Sequence, residues 1–148
     1  MTIGKQLLLH TGGGWNRSIK VFGAKNALTG TFLSRVFDTS NAQRFIAFLL
    51  AILEAYPMGQ IYIIVDNASW HHAHLVLDWL TTHRRLEWVW LPTGSPKLNP
   101  VERIWGKLKA QVAANHWYGT LNAIRKAAED FLDSLSPERT CQIAKLAA

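Results

Sequence analysis

Ile61-Tyr62-Ile63-Ile64-Val65 is an unbroken apolar run that ends on Asp66. Five such residues between turn signals predict a strand covered on both faces, as in a parallel sheet. That requirement dominates the reading, because such a strand needs helices on both sides of it. It also places Asp66. In open α/β sheets, ligands bind just outside the carboxyl ends of the strands, so a carboxylate there points into the crevice.

The rest of the chain supplies the layers. Ser18 to Phe22 and Gly30 to Phe37 are strand-like runs around Ala24 to Thr29, which predicts a β-hairpin. Asp38 to Asn41 offers N-caps for a helix with Phe45, Phe48, Leu49 and Ile52 on one face, stopping near Tyr56-Pro57. A second helix is expected from about Trp70 to His83, then a strand from Leu86 to Leu91 and a proline-rich loop from Pro92 to Pro100. Helices follow at roughly 100 to 114, 120 to 135 and 137 to 146, the last opened by Ser136-Pro137. The order is that of an α/β protein with a mixed sheet flanked by helices, one domain over residues 1–148. Residues 1–17 read poorly; Gln6 to His10 is the one strand-like piece among them.

Composition narrows the setting. The chain is 49% hydrophobic with seven Trp, which supplies a core and argues against disorder. A formal charge of +6 favours polyanionic partners. Cys141 is the only cysteine, which excludes an intrachain disulfide and any Cys-based zinc cluster and fits a reducing, cytoplasmic setting. No run is long and apolar enough to predict a membrane span.

Asp66 and Glu102 carry the chemistry. Each has a local alternative. Asp66 or Asn67 can cap the next helix. Asn99, Pro100 and Glu102 have the spacing of a capping box, worth about 1 kcal/mol. The functional reading is a pair of carboxylates from separate elements, which suits Mg²⁺, a hard cation preferring oxygen ligands. Two such ions about 3.5–4 Å apart activate a water or a 3′-hydroxyl for phosphoryl transfer. Three acids are the usual minimum for two ions, and only two are well placed. His71, His72 and His74 lack the spacing and partners of a zinc site. Lys97, Arg103, Lys107 and Lys109 cluster around Glu102, either as a solvated face or as phosphate contacts. Trp70, Trp79, Trp88, Trp90 and Trp105 read as core, leaving Trp70 or Trp117 for base stacking.

Residues 61–71, Trp90-Leu91-Pro92, and Ser95-Pro96-Lys97-Leu98-Asn99-Pro100-Val101-Glu102-Arg103-Ile104-Trp105 resemble the catalytic core of DDE transposases. The branch is the mariner-like superfamily in its bacterial insertion-sequence form, and residues 67–101 give the usual spacing between its last two acids. The resemblance runs from about Arg17 to Leu135. It implies an RNase H-like fold, Asp66 as second acid and Glu102 as third, both ligands to Mg²⁺ or Mn²⁺. It also implies transposon ends and target DNA as partners, and His71 near the scissile phosphate.

Two departures follow. Gly94 stands where the family has an aromatic residue. The first acid, normally on the first and central strand, has no counterpart; Asp38, Asp78, Asp130 and Asp133 lie in the wrong contexts. The chain therefore reads as an N-terminally truncated catalytic domain, inactive alone, with that central strand missing. The alternative is a non-catalytic remnant that binds DNA or associates with itself. A missing central strand leaves open edges, so Gln6 to His10 fills the gap or two chains pair across it as a homodimer or larger assembly.

Overall fold

The computed structural model describes residues 1–3, 7–10, 18–66, 69–94, 98–114 and 116–145. Its strands are β1 (Thr2–Ile3), β2 (Leu7–His10), β3 (Ser18–Lys25), β4 (Phe32–Phe37), β5 (Ile61–Val65) and β6 (Leu86–Trp90). Its helices are α1 (Ala42–Ala55), α2 (His74–Thr82), α3 (Val101–Leu108), α4 (Leu121–Asp133) and α5 (Pro137–Ala144).

Pairing fixes the order of the sheet. Lys20 and Val21 of β3 face β2 on one side and β4 on the other. Ala24 and Lys25 face β1 and β4 in the same way. Hence β1 and β2 lie on one edge of β3, and β4 on the other. Since β1 also runs parallel to β5, and β5 to β6, the order across the sheet is β4, β3, then β1 with β2, then β5 and β6. The central place, expected to be empty, is therefore held by Thr2–Ile3. The expected filler, Gln6 to His10, is present as Leu7–His10 but lies further along β3. The join to β5 is short: Thr2 registers with Ile64, whose N–H donates to the Met1 carbonyl (2.7 Å). Met1 to Gln6 has no clear alternation of apolar and polar residues, so its sequence does not announce a strand.

The hairpin forms as its turn chemistry predicts. Asn26 Oδ1 accepts from the N–H groups of Leu28 and Thr29, and Gly30 takes a left-handed φ of 78°. A Cβ at Gly30 would also stand 2.6 Å from Cys141 Sγ. Asn41 caps α1 by accepting from Arg44 N–H (2.8 Å), and Tyr56-Pro57 ends it.

Two cores sit on opposite faces. Ile19 and Val21 of β3, with Leu9, pack against Val101, Ile104, Trp105 and Leu108 of α3 and against α4. Phe22 and Ala24 of β3 pack with α1, β5, Val76 of α2 and Leu86. The alternation of side chains along β3 thus divides that strand between both cores. Trp105 closes the first core by lying over Gly23. A Cβ at position 23 would meet the indole at 2.5 Å, so glycine there is what lets α3 approach the sheet.

β5 is covered on one face only. Ile61, Ile63 and Val65 are buried, whereas Tyr62 is 54% exposed and Ile64 is half-buried. α1 and α2 cover the first set; α3 and α4 pack over β3 and β2 instead. The helix expected from Trp70 to His83 is also divided, into a 3₁₀ turn at Ser69–His72 and α2, with Ala73 in an extended conformation between them. α3 passes into a π-helical turn at Lys109–Ala113.

Candidate active site

Asp66 directly follows β5, and its side chain is 23% exposed. The β5–β6 ladder reaches this level, because Leu91 N–H donates to the Val65 carbonyl (2.9 Å). The backbone of Asp66 is therefore tied to a paired strand end, and its carboxylate stands at the mouth of the sheet.

The 3₁₀ turn brings His71 back to Asp66. Nδ1 of His71 lies 2.8 Å from the Asp66 carbonyl oxygen and 3.3 Å from its Oδ1. A carbonyl oxygen only accepts, so Nδ1 carries the hydrogen. The imidazole is fully buried, with its centre 5.0 Å from Phe45 and 6.2 Å from Trp88. A phosphate outside the protein does not reach it in this conformation. The turn directs the ring inward, against Asp66.

Glu102 is half-buried in the first turn of α3. Asn99 sets that turn: it is buried, its Oδ1 accepts from Val101 N–H (3.1 Å), and its carbonyl accepts from Glu102 N–H (3.1 Å). Asn99 thus caps α3 as the spacing predicts. Gly94, in the loop ahead of it, has a left-handed φ of 76°, which suits glycine and disfavours the aromatic residue of the family pattern. Ser95, Pro96 and Lys97 lie outside the described residues, as do Asn67 and Ala68 and the side chain of Trp70.

Among the described residues, no three His, Cys, Asp or Glu side chains gather as a metal-binding group. Asp38 is ion-paired with Arg125 and Asp130 with Lys126, while Asp78 and Asp133 are exposed on helices. Asp66 at the end of β5 and Glu102 in the first turn of α3 carry carboxylates, whose hard oxygen donors are of the kind Mg²⁺ or Mn²⁺ prefers.

Arg103 and Lys107 lie one turn apart on α3. Successive helical residues project roughly 100° apart, and these two face α5, where Arg139 and Gln142 join them. Trp90 is 40% exposed at the end of β6, stacked on His72 at 4.4 Å with ring planes 3° apart. Among the other tryptophans, Trp105 is buried, Trp79 and Trp88 are half-buried, and Trp117 is 74% exposed. His71 as a partner of Asp66 could have been suspected from their closeness in sequence. Arg139 and Gln142 gave no signal, since nothing local says which helix α5 meets.

Comparison with known proteins agrees with this geometry. The family described as "DDE superfamily endonuclease" matches residues 1–125. The "Insertion element IS630 uncharacterized 39 kDa protein" of Shigella sonnei is 26% identical over 125 residues, covering 84% of this chain and 36% of that protein. The chain thus spans about a third of that relative's length. The crystal structure of the catalytic domain of Mos1 mariner transposase superposes with a TM-score of 0.72 at 18% identity, covering 97% of this chain and 74% of that one. The catalytic core domain of BIV integrase gives 0.58 at 17% identity, covering 90% and 82%. No helix of the described residues is long and apolar enough to cross a membrane.

Proposed function

We propose that this chain, which belongs to the DDE superfamily endonucleases and has an RNase H-like fold, is a transposase catalytic domain, residues 1–148 forming one domain that engages DNA at transposon ends for cleavage and strand transfer. The observation that carries this is the placing of Asp66 at the end of β5 and Glu102 in the first turn of α3. Each carboxylate emerges from a rigid element, Asp66 at the carboxyl end of a parallel strand, where such folds bind ligands, and Glu102 in the first turn of a helix. Mos1 structures have been determined with Mn, with Mg and with a transposon end. By likeness, DNA and a divalent cation are the partners here, with self-association when two ends are held together and the cytoplasm as the place of action.

Asp66 and Glu102 are the residues that would hold Mg²⁺ or Mn²⁺, which supplies an acidified water or 3′-hydroxyl and stabilises the leaving oxygen. His71 fixes the backbone and carboxylate of Asp66. Asn99 fixes the turn that presents Glu102. Arg103 and Lys107, with Lys97, bind phosphate without reading sequence.

These 148 residues contain no Asp or Glu before Asp38, and the central β1–β2 position carries none. We infer that this chain by itself binds a divalent ion weakly and does not cut DNA. The test is a Mn²⁺ titration by calorimetry beside a cleavage assay on end-containing DNA. Weak binding, lost in both Asp66→Asn and Glu102→Gln, with no cleavage, is expected. Cleavage abolished by Asp66→Ala would show that the two acids suffice; Mn²⁺ binding indifferent to both substitutions would remove the metal reading.

A further inference from the structure

Between α3 and α5 lies an open cleft of about 570 Å³ lined by Arg103, Gly106, Lys107, Arg139, Gln142 and Ile143 among others. None of its lining residues is acidic, and three are cationic. Two of these cations are held in place. Arg103 donates from Nη1 to the carbonyl of Lys145, where α5 ends. Arg139 donates from Nη1 to Ser134 Oγ (2.6 Å) and to the Ser134 carbonyl (3.4 Å), and its guanidinium lies over the Phe131 ring at 5.5 Å. A guanidinium has five N–H donors, more than these bonds use. Anchored arginines also lose less conformational freedom on binding a ligand than mobile side chains do. Gly106 faces open space: a Cβ there would have nothing within 4 Å.

Resting on the DNA reading above, we propose that the α3–α5 cleft carries the phosphate contact of Arg103 and Lys107 across to α5, taking the phosphodiester backbone along the flank of α3 that faces Arg139 and Gln142. Its chemistry is that of a polyanion site: cations spread along two helices, a glutamine that donates or accepts, and room for a backbone segment. It binds independently of sequence, because guanidinium and ammonium groups on phosphate carry no base information. One helix then presents Glu102 in its first turn and phosphate ligands along the side that faces α5. A strand lying in the cleft is held at a fixed remove from the Glu102 carboxylate. Gln142 enters the DNA contact as a wall residue of α5.

The test measures duplex DNA binding by fluorescence anisotropy across a salt series for the full chain and three variants. Lys107→Gln removes one cation, and Gln142→Glu adds one carboxylate to the wall at nearly constant shape. Arg84→Gln is the control, an equal charge change on the turn before β6. All are first checked for unchanged thermal melting. Lys107→Gln is expected to lower the slope of log affinity against log salt by about 1. Gln142→Glu is expected to weaken binding about tenfold at low salt, equally for unrelated sequences, while leaving Mn²⁺ binding unchanged. Arg84→Gln is expected to leave the slope as it is. Wild-type binding unaffected by Lys107→Gln and Gln142→Glu, or lowered as much by Arg84→Gln, overturns the cleft and spares the DNA reading. No wild-type binding at low salt overturns both.

Discussion

His71 Nδ1 donates to the Asp66 carbonyl over 2.8 Å and lies 3.3 Å from that residue's carboxylate. A fully buried imidazole thus sets both the backbone and the side chain of a proposed metal ligand. Groups that orient ligands typically contribute 10–100-fold to metal affinity. His71→Ala is expected to lower Mn²⁺ affinity by about that factor and to destabilise the fold by about 2–4 kcal/mol through the cavity it leaves. His71→Asn keeps a donor near the Nδ1 position and is expected to retain more of the affinity. Equal affinity in all three proteins, by calorimetry, would refute the orienting role.

Gly23 determines how closely α3 sits. With ring atoms of Phe32 and Trp105 each 2.5 Å from any added Cβ, Gly23→Ala forces these rings, and with Trp105 the helix that carries it, to shift. Overpacking of this kind costs about 1–3 kcal/mol. Urea unfolding should show that loss, and the displacement should weaken Mn²⁺ binding as well, since Glu102 rides on the same helix.

Asn99 tests the other acid. Asn99→Ala removes the acceptor for Val101 N–H from a buried site. A lost N-cap costs about 1 kcal/mol. Asn99→Asp keeps the acceptor and is expected to restore the stability by thermal melting.

Glu138 gives the start of α5 a pH dependence. Its carboxyl is held below the ordinary range, first by a hydrogen bond from its own backbone N–H and then by the Ser136 hydroxyl. A depressed folded-state pKa stabilises the protein above the unfolded value and ceases to do so as pH falls through the folded value. The amide resonances of α5 should therefore shift below the ordinary glutamate range of about pH 4, and Glu138→Gln should abolish that transition.

Much of this architecture could be read from local pattern. The run ending at Asp66 forms the strand its pattern predicts, Asn41 and Ser136 cap α1 and α5, and the Asn99 spacing marks the start of α3. What escaped depends on contacts distant in sequence. Tyr62 is exposed because α3 and α4 cover a different part of the sheet, which an apolar run cannot reveal. Thr2–Ile3 takes the central place through pairing with Ala24–Lys25 and Ile64, not through any period of its own. His71 points inward because Ala73 breaks a helix that periodicity continues through. Arg103 and Arg139 line one cleft although their neighbours in sequence say nothing of each other.

The two acids are mounted on different cores. Asp66 extends from the one built on α1 and α2; Glu102 opens the helix that closes the other over Gly23. β3 is their common wall. The gap between the carboxylates is therefore a caliper reading of how the two halves sit against each other. A cation held by both carboxylates, as proposed above, would act as a rivet through the wall, resisting slippage of one half along the other. Its thermal signature is a melting temperature that climbs with Mn²⁺ concentration and stays flat once either jaw is removed.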